Sequence, residues 1–212
     1  AGAIDNPDSG RRIHVRPIPR AGGLAVMAAF VAVGLVALLL QDRFEFIRPF
    51  SWRMLSGEEL IAVFGGALLA AAFGFVDDKW QIRARWQFLF QLVLAGFAIA
   101  LSLRIVAISN PFDFLAVVEN ENLTFAGVAA GVVTAFWILG MITSINFIDG
   151  LDGLSVGVPV IAALTLGFVS LGWADSSYQP MVALLCALLA GALLGYLPWN
   201  FNPAKVFVGT TG

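Results

Sequence analysis

Four carboxylates stand in two tight pairs along this chain. Asp77 and Asp78 are adjacent and close the apolar run Phe73-Gly74-Phe75-Val76. Asp149 and Asp152 lie three residues apart within Asn146-Phe147-Ile148-Asp149-Gly150-Leu151-Asp152-Gly153-Leu154. Paired carboxylates suit Mg²⁺, which takes one or two of them together with phosphate oxygens and water. The chemistry that follows is transfer of a phosphoryl group whose charge the metal and nearby cations neutralise. Two carboxylates at a helix C-terminus also meet the negative end of its dipole and repel each other, so a cation there is required. Mg²⁺ supplies one; Lys79, Arg83 and Arg85 are the other source, in which case Asp77-Asp78 is a solvated helix end. For the second pair, a helical turn would place Asn146, Asp149 and Asp152 on one face. Gly150 and Gly153 permit a broken helix or a close backbone approach to a ligand. The alternative is an ordinary loop built on Asp-Gly turns.

Two further segments carry matching groups. Arg11-Arg12-Ile13-His14-Val15-Arg16-Pro17-Ile18-Pro19-Arg20-Ala21-Gly22-Gly23 combines base with rigid backbone. Its guanidinium groups suit phosphate oxygens. His14, the only histidine, reads as a hydrogen-bonding partner rather than a metal ligand. The segment Asn200 to Gly212 offers amides, the cation Lys205 and aromatic faces, the groups a nucleotide base uses.

The elements that must position these groups follow from the gaps between charges. Uncharged stretches enclosed by Arg20–Asp42, Glu59–Asp77, Arg85–Arg104, Glu121–Asp149, Asp152–Asp175 and Asp175–Lys205 each reach the length of a bilayer span. They predict an all-α, polytopic transmembrane helix bundle of about six spans, near 22–40, 60–76, 86–103, 124–145, 154–173 and 180–198. Long uncharged runs without period-two alternation argue against a barrel. The composition agrees: 59% of residues are apolar and 12% charged, about half the charge of a soluble domain. A net charge of −2 excludes the basic footprint of a nucleic-acid binder. The single cysteine, Cys186, leaves no internal disulfide and no cysteine zinc site.

Alternate connections fall on opposite sides of the membrane. One side carries eight Lys and Arg residues and the other four, which places the first in the cytoplasm. Both carboxylate pairs are on that side. The chain opens without Met and without an apolar leader, and it stops just after an apolar run. It is expected to be one membrane domain over residues 1–212, a fragment truncated at both ends.

Four blocks in order resemble the polyprenyl-phosphate N-acetylhexosamine-1-phosphate transferases, a glycosyltransferase family 4 group that includes the undecaprenyl-phosphate GlcNAc-1-phosphate transferases and the peptidoglycan phospho-N-acetylmuramoyl-pentapeptide transferase. The blocks are Asp5-Asn6-Pro7-Asp8 through Gly23, Gly74 through Asp78, Asn146 through Leu154, and Asn200 through Gly209. The Asn-x-x-Asp-Gly-x-Asp-Gly block is the most specific. The resemblance implies transfer of an N-acetylhexosamine 1-phosphate from a UDP-sugar to undecaprenyl phosphate, with release of UMP, to start cell-envelope polysaccharide synthesis. It implies Mg²⁺, with Mn²⁺ as a substitute, a bacterial inner-membrane location, an active site facing the cytoplasm, and a homodimer as the candidate assembly.

By the same resemblance, Asp77, Asp78, Asp149 and Asp152 are the catalytic and metal-binding carboxylates. Asp77 and Asp78 belong to the lipid-phosphate end, where Asp77 positions or deprotonates the acceptor. Asp149 and Asp152 organise the nucleotide diphosphate. Asn146, Gly150, Leu151, Asn200 and Phe207 belong to substrate binding, with Phe207 stacking on uracil, and Arg20 and Arg85 suit phosphate contacts. One departure stands out. The family has Gly-Asp-x-Gly-Ser where this chain has Gly209-Thr210-Thr211-Gly212, so the usual metal aspartate is Thr210. With that change and the family's other segments missing, the fragment alone is expected to have little or no transferase activity. The competing expectations are a membrane transporter and an inactive family remnant.

Overall fold

The structure, a computed structural model, describes residues 4–5, 18–40, 43, 56–109, 122–149, 151–172 and 179–211. The basic stretch from Arg11 to Pro17, with His14, and also Gly150 lie outside the described residues. Among the described residues, six helices carry the fold. They are α1 (Gly22–Leu40), α2 (Gly57–Trp80), α3 (Ala84–Ala100), α4 (Val128–Ile148), α5 (Leu154–Gly172) and α6 (Gln179–Asn200). Two short antiparallel ribbons accompany them: β1 (Ile4–Asp5) with β2 (Ile18–Pro19), and β3 (Ala107–Ser109) with β4 (Asn122–Thr124).

All helices except α3 are long and apolar enough to cross a bilayer. A helix satisfies its own backbone polar groups, which a hydrocarbon environment demands. Large apolar side chains such as Leu39, Phe136 and Phe168 are more than three-quarters exposed, as lipid-facing residues of a multi-pass membrane protein are. At 17 residues, α3 is shorter than the predicted span and begins two residues earlier.

Helix ends differ from the sequence expectation where the chemistry sits. A capping box opens α2: Glu59 N–H donates to Ser56 Oγ (3.2 Å) and Ser56 N–H to Glu59 Oε2 (2.7 Å). The same helix runs on through Trp80, so Asp77 and Asp78 occupy its last turn instead of following it. It stops at Gln81, whose left-handed conformation (φ 51°) lets its N–H reach Asp77 O at 2.7 Å. Helix α4 is displaced toward the second motif and takes in Asn146, ending with Asp149 at its C-cap.

The packing is uneven. Helices α5 and α6 form the most extensive pair, with α1 on α6 and α3 on α4 next. Val26, Val156, Val160, Leu193, Tyr196 and Val208 form one core cluster, joining α1, α5, α6 and the segment after α6. A second cluster centres on Phe64 and Met181, with Phe30, Leu184 and Leu188 against it. Close approaches use glycine: a Cβ at Gly34 would meet the Phe64 ring, and one at Gly22 would meet the Tyr196 side chain. The first cluster therefore anchors the post-α6 segment against the start of α1, beside the carboxylates.

Candidate active site

The segment 201–211 leaves α6 and folds back over the helix ends. Tyr196 Oη donates to Val206 O (2.8 Å). Phe207 N–H donates to Pro19 O (2.9 Å), while Gly22 and Gly23 donate to Phe207 O (3.1 Å) and Val208 O (2.9 Å). The first amides of α1, which have no intrahelical acceptor, are thus satisfied by this segment. Phe207 is half-buried in the same layer.

Asp78 is buried and clasps the end of the segment. Its Oδ1 accepts from Thr210 N–H (2.9 Å), and its Oδ2 accepts from Thr211 N–H (3.1 Å) and Thr211 Oγ1 (2.6 Å). Two glycines make the clasp sterically feasible. A Cβ at Gly74 would run into the backbone of Thr210 and Thr211. One at Gly209, which has φ +71°, would lie 2.6 Å from Asp78 Oδ2. Asp77, also buried, points to a different element. It accepts from Ile82 N–H (2.9 Å) and from Gln87 Nε2 at both oxygens (2.9 and 2.8 Å), which ties α2 to α3.

Asp149 has surroundings of another kind. Burial pushes its pKa up from the usual 3.8 to about 6; the Ser155 hydroxyl, the Arg20 charge and the Gly209 amide pull it down, and the Asp78 charge adds to the rise. The carboxyl therefore shares one electrostatic neighbourhood with Arg20 after β2, Asp78 on α2, Ser155 on α5 and Gly209 after α6. Asp149 Oδ1 is buried without a hydrogen-bond partner, and so is Ser155 Oγ. Ser155, at the start of α5, is the neighbour whose hydroxyl does most to hold the carboxyl's pKa down.

Asp152 turns away from this group. Its Oδ2 accepts from Asn202 Nδ2 and Ala204 N–H, both at 3.0 Å. Asp149 and Asp152 do not share a helical face, because α4 ends at Ile148 and Gly153 takes φ +75°. Asn200 is fully buried; its Oδ1 accepts from Gly153 N–H (3.0 Å) and its Nδ2 donates to Val206 O (3.1 Å). Its amide braces two loops against each other.

The remaining predicted residues are spread more widely. Arg20 is half-buried at the Asp149 site. Asn146 and Leu151 are exposed. Arg85 is exposed and lies over the Trp86 ring, 5.9 Å from its centroid, rather than against the four carboxylates. The expected single cluster of Asp77, Asp78, Asp149 and Asp152 resolves into an Asp78–Asp149 neighbourhood flanked by two structural carboxylates. Among the described residues, no three His, Cys, Asp or Glu side chains gather closely enough to hold a metal by themselves.

Gln87, Ser155, Tyr196 and Thr211 were not among the predicted site residues. Gln87 and Ser155 carry a sequence signal, since each is a polar residue inside an apolar helix beside a carboxylate motif. Thr211 carries none, because its role depends on a contact spanning 133 residues.

Residues 60–212 match the model of the family described as "Glycosyl transferase family 4". The whole chain aligns at 34% identity with 51% of a Bacillus subtilis protein named "Probable undecaprenyl-phosphate N-acetylglucosaminyl 1-phosphate transferase". It aligns over its full length at 31% identity with 50% of the "Decaprenyl-phosphate N-acetylglucosaminephosphotransferase" of Mycolicibacterium smegmatis. A "Phospho-N-acetylmuramoyl-pentapeptide-transferase" of Staphylococcus epidermidis is 29% identical over 97% of this chain and 61% of its own length. The chain spans about half the length of the first two relatives. A family match running from α2 through α6, with both carboxylate motifs and the post-α6 segment, on a multi-pass helical bundle, means that this chain belongs to glycosyl transferase family 4.

Proposed function

We propose that the protein transfers an N-acetylhexosamine 1-phosphate from its UDP-sugar to undecaprenyl phosphate and releases UMP, in the bacterial inner membrane with the site on the cytoplasmic face. The observation that carries this reading is the convergence of Asp149, Asp78, Arg20 and the Gly209 loop at one end of a membrane-embedded bundle. That arrangement puts anionic and cationic groups where a lipid headgroup and a water-soluble diphosphate meet. The names of the relatives, which speak of undecaprenyl-phosphate and decaprenyl-phosphate acceptors, support the same substrate class.

In the reaction, an oxygen of the lipid phosphate forms a bond to the β-phosphorus of the UDP-sugar. The bond from that phosphorus to the bridging oxygen breaks, and the electron pair leaves with UMP. Arg20 offsets charge on the diphosphate. Asp78 fixes the 209–211 loop against α2, so that Asp149 faces a rigid wall. Asp152 and Asn200 hold the loops on either side of the motif.

The donor set fits Mg²⁺ in the form that borrows oxygens from a substrate. Asp149 Oδ1 is a buried acceptor without a partner, with the Asp78 carboxylate close enough to raise its pKa. Asp149 would hold the ion and Asp78 would flank it, with phosphate oxygens and water completing the shell. When bound, Mg²⁺ neutralises charge on the diphosphate and on the transferring phosphoryl group.

The test is transfer of radiolabelled UDP-GlcNAc to undecaprenyl phosphate by the intact protein, with and without Mg²⁺. Asp149→Asn is expected to lower the rate by about a hundredfold or more while leaving membrane insertion unchanged. Metal-independent behaviour, or wild-type rates from Asp149→Asn, would overturn the reading.

A further inference from the structure

A carbonyl oxygen has two lone pairs, and Val206 O accepts from two side chains of α6. Tyr196 Oη donates at 2.8 Å and Asn200 Nδ2 at 3.1 Å. The two donors stand four residues apart, on one face of the helix. Asn200 also braces Gly153, whereas the buried Tyr196 hydroxyl is directed at the Val206 carbonyl. The phenol is seated against the start of α1, where a Cβ at Gly22 would meet it.

The next residue is Phe207, whose backbone is fixed on both sides. Its N–H donates to Pro19 O (2.9 Å) and its carbonyl accepts from Gly22 N–H (3.1 Å). Val206 and Val208 pack on the core cluster, while Phe207 between them stands outside it and is half-buried. With Val206 O, Phe207 N–H and Phe207 O all held, the ring keeps only its side-chain torsions. Pro19 adjoins Arg20, and the amide of Gly209, two residues after Phe207, acts on Asp149. The ring is thus tethered between the cation and the carboxyl of the site. A rigid, half-exposed aromatic face there suits the planar base of a nucleotide whose diphosphate lies at Arg20.

We propose that Tyr196 is a positioning residue for the nucleotide: its hydroxyl, acting through the Val206 carbonyl, aims the Phe207 ring at the base of the UDP-sugar. This rests on the transferase reading and deepens it. Removing the hydroxyl leaves Val206 O its bond from Asn200, so the segment loosens without detaching.

The experiment measures equilibrium binding of UDP and undecaprenyl phosphate to the intact, detergent-solubilised protein as wild type, Tyr196→Phe, Phe207→Leu and the double variant. Tyr196→Phe is expected to weaken UDP about fivefold, the order of one lost hydrogen bond, and to leave the lipid unchanged. In the transfer assay KM for UDP-GlcNAc should rise by the same factor with kcat retained. In the Phe207→Leu background, where the aromatic face is already gone, Tyr196→Phe should weaken UDP no further. Wild-type UDP affinity in Tyr196→Phe overturns the inference. So does a fivefold loss that persists without Phe207, a loss in kcat alone, or an equal loss of undecaprenyl phosphate, which would mark the hydroxyl as a general support of the fold. Failure of the transferase reading shows in the wild type instead, as a protein that binds neither UDP nor undecaprenyl phosphate.

Discussion

Thr211 Oγ1 donates a 2.6 Å hydrogen bond to Asp78 Oδ2, across 133 residues of chain. Both residues are buried, and the Thr210 and Thr211 amides complete the contact. A carboxylate that accepts three such bonds is held in one orientation. In return it holds the 209–211 loop onto the end of α2. The contact makes Asp78 a positioning residue for the Asp149 site and places the loop within reach of both.

Breaking this clasp should loosen the protein. Thr211→Val removes the hydroxyl while keeping the shape, and leaves a buried carboxylate short of a donor. The expected loss is about 1–3 kcal/mol of stability, read as a lower midpoint in thermal denaturation in detergent. Thr211→Ser should restore most of it. Equal midpoints for Thr211→Val and wild type would show that the hydroxyl contributes nothing there.

The glycines that admit the clasp should be less tolerant than the clasp itself. Gly209→Ala sets a Cβ against the Asp78 carboxylate and at a positive φ. The left-handed backbone alone costs about 1–2 kcal/mol. Gly74→Ala sets a Cβ against backbone, which cannot rotate away. Both variants should therefore lose transfer activity and show earlier proteolysis of the 201–211 segment. Gly96→Ala, at a position with open space, is the control and should behave as wild type.

Asp149 gives a pH signature. Its pKa rises from 3.8 toward about 6 on folding, chiefly through burial. The folded protein then binds more protons than the unfolded chain between those values, so stability falls as pH rises through that window. In buffer free of divalent ions, the chemical-denaturation midpoint should decline between about pH 4 and pH 6. Asp149→Asn should flatten the decline. An identical slope in the variant would assign it to other groups.

Position 210 offers a gain-of-function test. Thr210 presents a neutral hydroxyl beside the Asp78 clasp, at the position where the motif resemblance implies an aspartate. Thr210→Asp would add a third anionic group to the Asp78–Asp149 neighbourhood. A Mg²⁺ titration of transfer activity should then saturate at roughly tenfold lower metal, the order expected for one added carboxylate ligand. An unchanged titration would assign metal ligation to residues other than position 210.

Much of this protein was legible in the order of its residues. Charge gaps of bilayer length located six helices to within a few residues, because a span needs an unbroken apolar run whatever it packs against. The Asn146–Leu154 block marked its own importance, since carboxylates have no place in such a run without a task. What each carboxylate does was decided only by the tertiary structure. Asp77 and Asp78 are neighbours in sequence, yet the helical turn points one at Gln87 and the other at Thr211. Asp149 and Asp152 look like one face of a helix, yet the chain turns between them, leaving one half-buried near Arg20 and Ser155 and the other bonded to Asn202. Spacing along the chain fixes which side chains are near the membrane edge; desolvation and hydrogen bonding act through space, and only the assembled bundle determines them.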